Sequence, residues 1–406
     1  MAVARPPVAL YVHVPFCISI CPYCDFVVVA GAAARGRRSS VDRYVEAVLS
    51  EVSLRADALD ARFGRGRPPL GSLYLGGGTP SLLPAPAVAR LLGLVRDRFG
   101  LALDAEVTIE ANPGPDERGD AGELRAAGVT RLSIGAQSMD DAGLRRLGRR
   151  HAARYTAAAV AAARQAGIPS VSLDLLYDVP GQSAAGFEHD LEAALDLRPD
   201  HLSLYALTLD DPAAEGLTGE AGDHLPPSRG ALRWRTAARA EQDDDRAAAM
   251  YELAVARLAA AGFRGYEISN WARPGHESRH NLAYWRREPH EAAGPGAHAF
   301  DGVERRWNAA PLAAYLDALA SSDGGAPLLP PGASEMPDPG SAAAEATILA
   351  LRLDTGVPIA DAAGGPLGPH LAWAREAGLL ASAGEDRIAL TTRGRLLSNE
   401  LFAKLV

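Results

Sequence analysis

Cys17-Ile18-Ser19-Ile20-Cys21-Pro22-Tyr23-Cys24 holds every cysteine of the chain. The spacing is C-x3-C-x2-C, directly after an apolar run, Leu10-Tyr11-Val12-His13-Val14-Pro15-Phe16, that reads as a strand. Three thiolates on one short loop can converge on one inorganic centre. Iron–sulfur clusters are held by cysteine thiolates, normally four on a cubane. With three, one iron keeps an exchangeable position, which a catalytic metal needs and a structural one avoids. Two other chemistries draw on the same residues. Cys-Pro-Tyr-Cys is also a dithiol redox motif, although that chemistry has no use for Cys17. A zinc site of His13 with the three cysteines is the other.

The 406 residues suit two or three domains. At 48% hydrophobic and 22% charged, the composition is that of an ordinary globular protein. A formal charge of −9 argues against a broad nucleic-acid-binding face. Cysteines confined to one motif leave no disulfide framework, and no signal peptide is visible ahead of the first strand, so a cytoplasmic location is expected. No apolar run approaches the ~20 residues of a membrane span.

Strands read at 10–14, 72–75, 106–110, 130–134, 170–175 and 201–207. Helices read near 84–98, 121–127, 140–146, 153–166 and 184–196. An earlier amphipathic helix carries Val41, Tyr44, Val45, Val48, Leu49 and Val52 on one stripe, with Ser39 or Ser40 as its cap. Such alternation predicts parallel strands with helical crossovers. The expected fold is therefore α/β, an open or partial (β/α)6 barrel. Its polar residues fall at strand ends: Gly76-Gly77-Gly78-Thr79-Pro80 after the second, Glu110 and Asn112 after the third, Gln137 after the fourth, Asp174 in the fifth and Tyr205-Ala206 at the sixth. Active sites of β/α barrels collect at the C-terminal ends of strands, so these groups should face one cavity.

Residues 208–245 read as irregular, with Asp210-Asp211-Pro212 and several glycines, before a helix near 246–261 preceded by acidic residues that suit its dipole. Tyr266 to Trp271 reads as one strand leading into a loop that carries His280-Asn281-Leu282-Ala283-Tyr284-Trp285. His276, His280, His290 and His298 cluster here, four of ten histidines. Imidazole ligates haem iron and aromatic rings offer flat apolar faces, although packed loops also collect histidines as hydrogen-bonding groups. After a Pro/Gly-rich stretch come a helix over 342–353, an apolar hairpin-like pair around 379–390 and a final helix from Thr391. Residues 1–240 are expected to form the barrel, 241–325 an extension with the HNLAYW loop, and 326–406 a helical, winged-helix-like domain.

The cysteine motif, the Gly-Gly-Gly-Thr-Pro turn, Gly135-Ala136-Gln137-Ser138, Asp174-Leu175, His280 to Trp285 and Gly294-Pro295-Gly296-Ala297-His298 together resemble the oxygen-independent coproporphyrinogen III oxidase family of radical S-adenosylmethionine (SAM) proteins. The resemblance implies a [4Fe–4S] cluster on Cys17, Cys21 and Cys24, with SAM on the fourth iron. It places Tyr11 and Tyr23 beside the cluster, Gly77, Gly78 and Thr79 on the amino-acid end of SAM, and Glu110 on the ribose. Gln137, Arg149, Asp174 and Ala206 would line the same mouth.

The oxidase branch, which decarboxylates two propionates of its porphyrinogen, usually carries a further cysteine where this chain has Phe26. Phe26 and the H-N-x-x-Y-W motif resemble instead a haem-chaperone branch. That branch implies bound haem, an acceptor protein for it, and a reductant for the cluster. His280 is then the expected iron ligand, with His276 or His298 as alternatives. If the segment is helical, Tyr284 shares its face. Trp285 would pack on the porphyrin or anchor the loop. Asp178 stands where the family usually has Gly, which questions the turn after the fifth strand.

Overall fold

Six apolar strands, Ala9–Val14, Leu70–Gly77, Leu101–Ala111, Arg131–Gln137, Ser170–Tyr177 and His201–Ala206, lie side by side in chain order and pair in parallel. The computed structural model describes residues 3–31, 40–209, 215–219, 222–320, 327–360 and 366–406. Ser39 and Asp210-Asp211-Pro212 lie outside the described residues.

Each crossover is made by helices whose apolar stripe covers the sheet, as parallel strands require. In helix Ser40–Phe63, Tyr44, Val45, Val48 and Val52 are buried. Asp120, Asp140 and Ser183 cap the later helices by accepting the backbone N–H three residues on. The same device starts Asp244–Ala260, where Asp243 accepts from the N–H of Arg246.

The turn after the fifth strand resolves the question posed by Asp178. Its φ is 55°, the left-handed region that favours glycine. The carboxylate compensates: Arg246 donates to it at 2.8 Å and the backbone N–H of Asp243 at 3.3 Å.

The sheet grows beyond the six strands at both edges and reaches twelve strands. His290–Ala293 pairs in parallel with the first strand, and His298–Phe300, Arg305–Asn308 and Gly332–Glu335 follow antiparallel. The sheet thus continues past residue 326, where the sequence suggested that a new domain begins. At the far edge, Tyr266 to Trp271 is not one strand. Arg264–Gly265 and Asn270–Ala272 form a tight antiparallel pair beside the sixth strand. The two edges stay apart in the strand order, so the barrel is open.

Glu51 fastens the extension to the first helix. It is fully buried and accepts from the backbone N–H of Gly294 and from Asn308 and Tyr315, each at 2.8 Å. Arg55 adds the ion pair at 3.1 Å. Four donors meet the need of a buried carboxylate.

The C-terminal part has its own core, built around Leu351, Leu371, Leu379, Ile388 and Leu401. Helices Pro339–Arg352 and Gly368–Glu376 pack with a three-stranded sheet ordered Val357–Pro358, Arg387–Leu390, Leu380–Ser382. The final helical stretch is two short helices, Thr392–Leu396 and Ser398–Phe402, not one. Among the described residues, no helix is long and apolar enough to cross a membrane.

Candidate functional site

Two adjoining cavities hold nearly every residue expected at the site. The smaller, of about 370 Å³, opens at the C-terminal ends of the six strands. Cys17, Cys21, Tyr23, Cys24, Gly77, Gly78, Glu110, Gln137, Arg149, Asp174 and Ala206 line it. The larger, of about 740 Å³, lies between the sheet extension and helix Pro339–Arg352, and takes Tyr11, His280, Tyr284 and Trp285. Tyr11, expected beside the cysteines, therefore faces the other cavity. Its hydroxyl is 3.0 Å from His13 Nδ1.

Glycine is required where the second strand ends. A Cβ on Gly77 would lie 2.5 Å from the His13 ring, and one on Gly78 would lie 2.6 Å from the Phe16 carbonyl oxygen. Thr79 is buried and does not reach the cavity. Its hydroxyl donates to Cys17 Sγ at 3.6 Å and accepts from Asn112 at 2.9 Å. It supports the cysteine loop from behind.

Burial pushes the Cys17 thiol up to about 11 and the Cys24 thiol up to about 12. Thiolates in so apolar a setting need a cationic partner. One cation is built in: the Arg149 guanidinium is 3.4 Å from Cys21 Sγ and donates to the Gly135 carbonyl at 3.0 Å and to Asn112. Among the described residues no three His, Cys, Asp or Glu groups are arranged around a single metal ion. The His13 ring that a zinc site would use is engaged at both nitrogens, by Tyr11 and by the Val27 carbonyl at 2.7 Å. Three thiols on the wall of one cavity suit a polynuclear centre, in which each thiolate binds a different iron.

Glu110 accepts from the Tyr74 hydroxyl at 2.8 Å and from the Gly77 N–H at 2.9 Å, one on each oxygen. Each oxygen keeps a further lone pair for a hydroxyl donor. Burial raises its carboxyl to about 7, the Tyr74 hydrogen bond opposes this, and nearby Asp174 adds to it. Asp174 is raised as well, chiefly by burial, and Ser133 donates to it at 3.2 Å.

The HNLAYW segment is a helix, Arg279–Trp285, started by the Ser278 hydroxyl, which accepts from the N–H of Asn281. His280 and Tyr284 share a face, as their spacing predicts. His280 is 1% exposed. Its Nδ1 is 2.9 Å from the Ser72 hydroxyl and its Nε2 is 2.9 Å from the Tyr284 hydroxyl. Both ring nitrogens of His280, the expected iron ligand, are thus hydrogen-bonded, and the ring fastens the helix to the second strand. The Arg352 guanidinium lies over Trp285, 4.3 Å from the ring centroid, and the buried Nε1 of Trp285 has no partner among the described residues. The Nδ1 of His276 is 3.1 Å from Ser170, and His276 lines neither cavity.

Several lining residues escaped the sequence: Asp223, His224, Arg287, Arg305 and Glu345. Apart from the adjacent Asp223 and His224, no local spacing links them. They meet because strand Arg305–Asn308 and helix Pro339–Arg352 fold over the same opening.

The radical SAM superfamily profile matches residues 11–194. The heme chaperone HemW of Mycobacterium tuberculosis is 41% identical, over 98% of this chain and 95% of that protein. The belonging is thereby settled. The chain is a member of the HemW family of radical SAM proteins. The HemW of Escherichia coli is 38% identical over 73% of this chain and 71% of its own length. Among solved structures, coproporphyrinogen III oxidase (HemN) from Escherichia coli, 23% identical, superposes with a TM-score of 0.76 over 99% of this chain and 90% of that one. That likeness shows the fold, an α/β radical SAM architecture. Radical SAM proteins carry a [4Fe–4S] cluster and SAM, and the smaller cavity has the thiols and the glycine-lined floor that such a pair needs.

Proposed function

We propose that the chain is a haem chaperone, binding haem in the larger cavity and passing it to an acceptor protein in the cytoplasm. The observation that supports this best is the cavity of about 740 Å³ walled by the HNLAYW helix. Small-molecule sites typically span roughly 300–1,000 Å³. Burial holds two of its histidines neutral: His280 falls to about 3 and His290 to about 4. Phe26, Tyr74, Tyr284, Trp285 and Phe300 on its wall offer flat faces that suit a porphyrin.

Cys17, Cys21 and Cys24 would hold the [4Fe–4S] cluster, and SAM would take its fourth iron. When bound, the cluster supplies one-electron chemistry and needs a reductant. Gly77 and Gly78 leave backbone room for the amino-acid end of SAM. Glu110 would accept from the ribose hydroxyls. Arg149 keeps a positive charge at the cysteine loop, Thr79 braces Cys17, and Gln137, Asp174 and Ala206 close the mouth. Tyr23 packs against Trp234, with ring centroids 6.3 Å apart, and holds the loop.

The test incubates reconstituted protein with coproporphyrinogen III, SAM and a reductant, and in parallel with haem. Stable haem binding without decarboxylated product is expected. Decarboxylated product without haem binding overturns the proposal in favour of the oxidase.

A further inference from the structure

The larger cavity carries an imidazole group that is independent of the HNLAYW helix. His224 and His298 converge on one carboxylate. His224 Nδ1 is 3.0 Å from Asp223 Oδ1, and His298 Nε2 is 2.8 Å from Asp223 Oδ2. The ring nitrogen facing a carboxylate carries the proton and donates it. The opposite nitrogen then presents a lone pair. For His224 that atom is Nε2, which has no hydrogen-bond partner among the described residues. His224 is 30% exposed and lines the cavity. A carboxylate behind an imidazole fixes the tautomer and raises the basicity of a metal-binding ring.

On the same cavity, Arg287 and Arg305 both reach one oxygen of Glu345, each at 3.1 Å. Arg305 also lies 3.5 Å from the rim carboxylate Glu335. Its buried Nε has no partner among the described residues. Two guanidinium groups sharing one inner carboxylate keep donor capacity for an incoming anion.

Resting on the reading that haem is the cargo, we propose that His224 is the axial ligand of haem iron, oriented by Asp223, and that Arg287 and Arg305 bind the propionates. Coordination is reversible: Nε2 donates a lone pair to iron and the Nδ1 proton stays on the ring.

Haem is titrated into the full chain and its variants while the Soret band is followed. His224→Ala should bind at least about tenfold more weakly, with a displaced band that free imidazole restores. Asp223→Asn should still bind, with the iron–imidazole stretch in the resonance Raman spectrum moved to lower frequency. Arg305→Leu should weaken binding without moving the band. His280→Ala should keep the band position. An unchanged band and affinity in His224→Ala overturns the assignment, as does loss of the band in His298→Ala alone. No Soret change with the unaltered chain overturns the haem reading itself, along with this site.

Discussion

His280 Nε2 lies 2.9 Å from the hydroxyl of Tyr284, one helical turn along, while its Nδ1 meets Ser72 on the second strand. The histidine of the motif is thus a clamp between helix and sheet. His280→Ala leaves the buried Ser72 hydroxyl and the half-buried Tyr284 hydroxyl without this partner and opens a void. It should cost about 2–4 kcal/mol of stability, read by urea denaturation. A variant as stable as the unaltered chain would contradict the clamp.

Glu110 gives the apoprotein a pH dependence. Its folded carboxyl is raised from 4.5 to about 7. Folding therefore favours its protonated form. The stability this supplies is complete below the unfolded value and is lost as pH rises through the folded one. The loss amounts to roughly 3 kcal/mol. Between about pH 5 and about pH 8, Glu110→Gln should show a visibly shallower decline than the unaltered chain. Equal slopes would refute the raised carboxyl. The same variant should bind SAM more weakly.

Gly78→Ala would press a methyl group to 2.6 Å from the Phe16 carbonyl oxygen. Backbone at the floor of the smaller cavity must then move. Reconstitution should load well under the roughly four irons per chain expected of a cubane. Gly93→Ala is the control. It sits in helix Ala85–Arg98 with nothing within 4 Å of its added carbon. It should keep its iron and gain about 0.5–1 kcal/mol of stability.

Asp178→Val would place a β-branched residue at φ 55° and strand Arg246. The left-handed conformation alone costs roughly 1–2 kcal/mol. Asp178→Gly should be milder, since glycine accepts that φ and only the Arg246 contact is lost. Equal losses in the two variants, in thermal or urea unfolding, would show that the ion pair dominates the turn.

The six parallel strands were legible because strand and helix periods alternate along the chain. Placement of Gly77, Glu110, Gln137 and Ala206 at strand ends then put them at one mouth. What period and spacing do not carry is a partner far away in sequence. His280 and Tyr284 were correctly set on one face, but Ser72, which occupies the other ring nitrogen, is 208 residues distant. Without it the ring looked available. Glu345, Arg287 and Arg305 carry no signal until the C-terminal helix is docked over the extension. Tyr266 to Trp271 misled for a local reason. Its apolar alternation suits a strand, whereas Glu267 accepts from the N–H of Ser269 at 2.7 Å and turns the chain back.

The two cavities share Phe26, Tyr74, Glu110 and Asn281 as a common wall. Tyr74 joins Glu110 on one side by its hydroxyl and lies against the His280 ring on the other, 5.1 Å between centroids. Any coupling that this partition carries between guests of the two chambers must be reciprocal. Whatever factor a guest in the smaller chamber imposes on affinity in the larger, the reverse effect has the same size and sign.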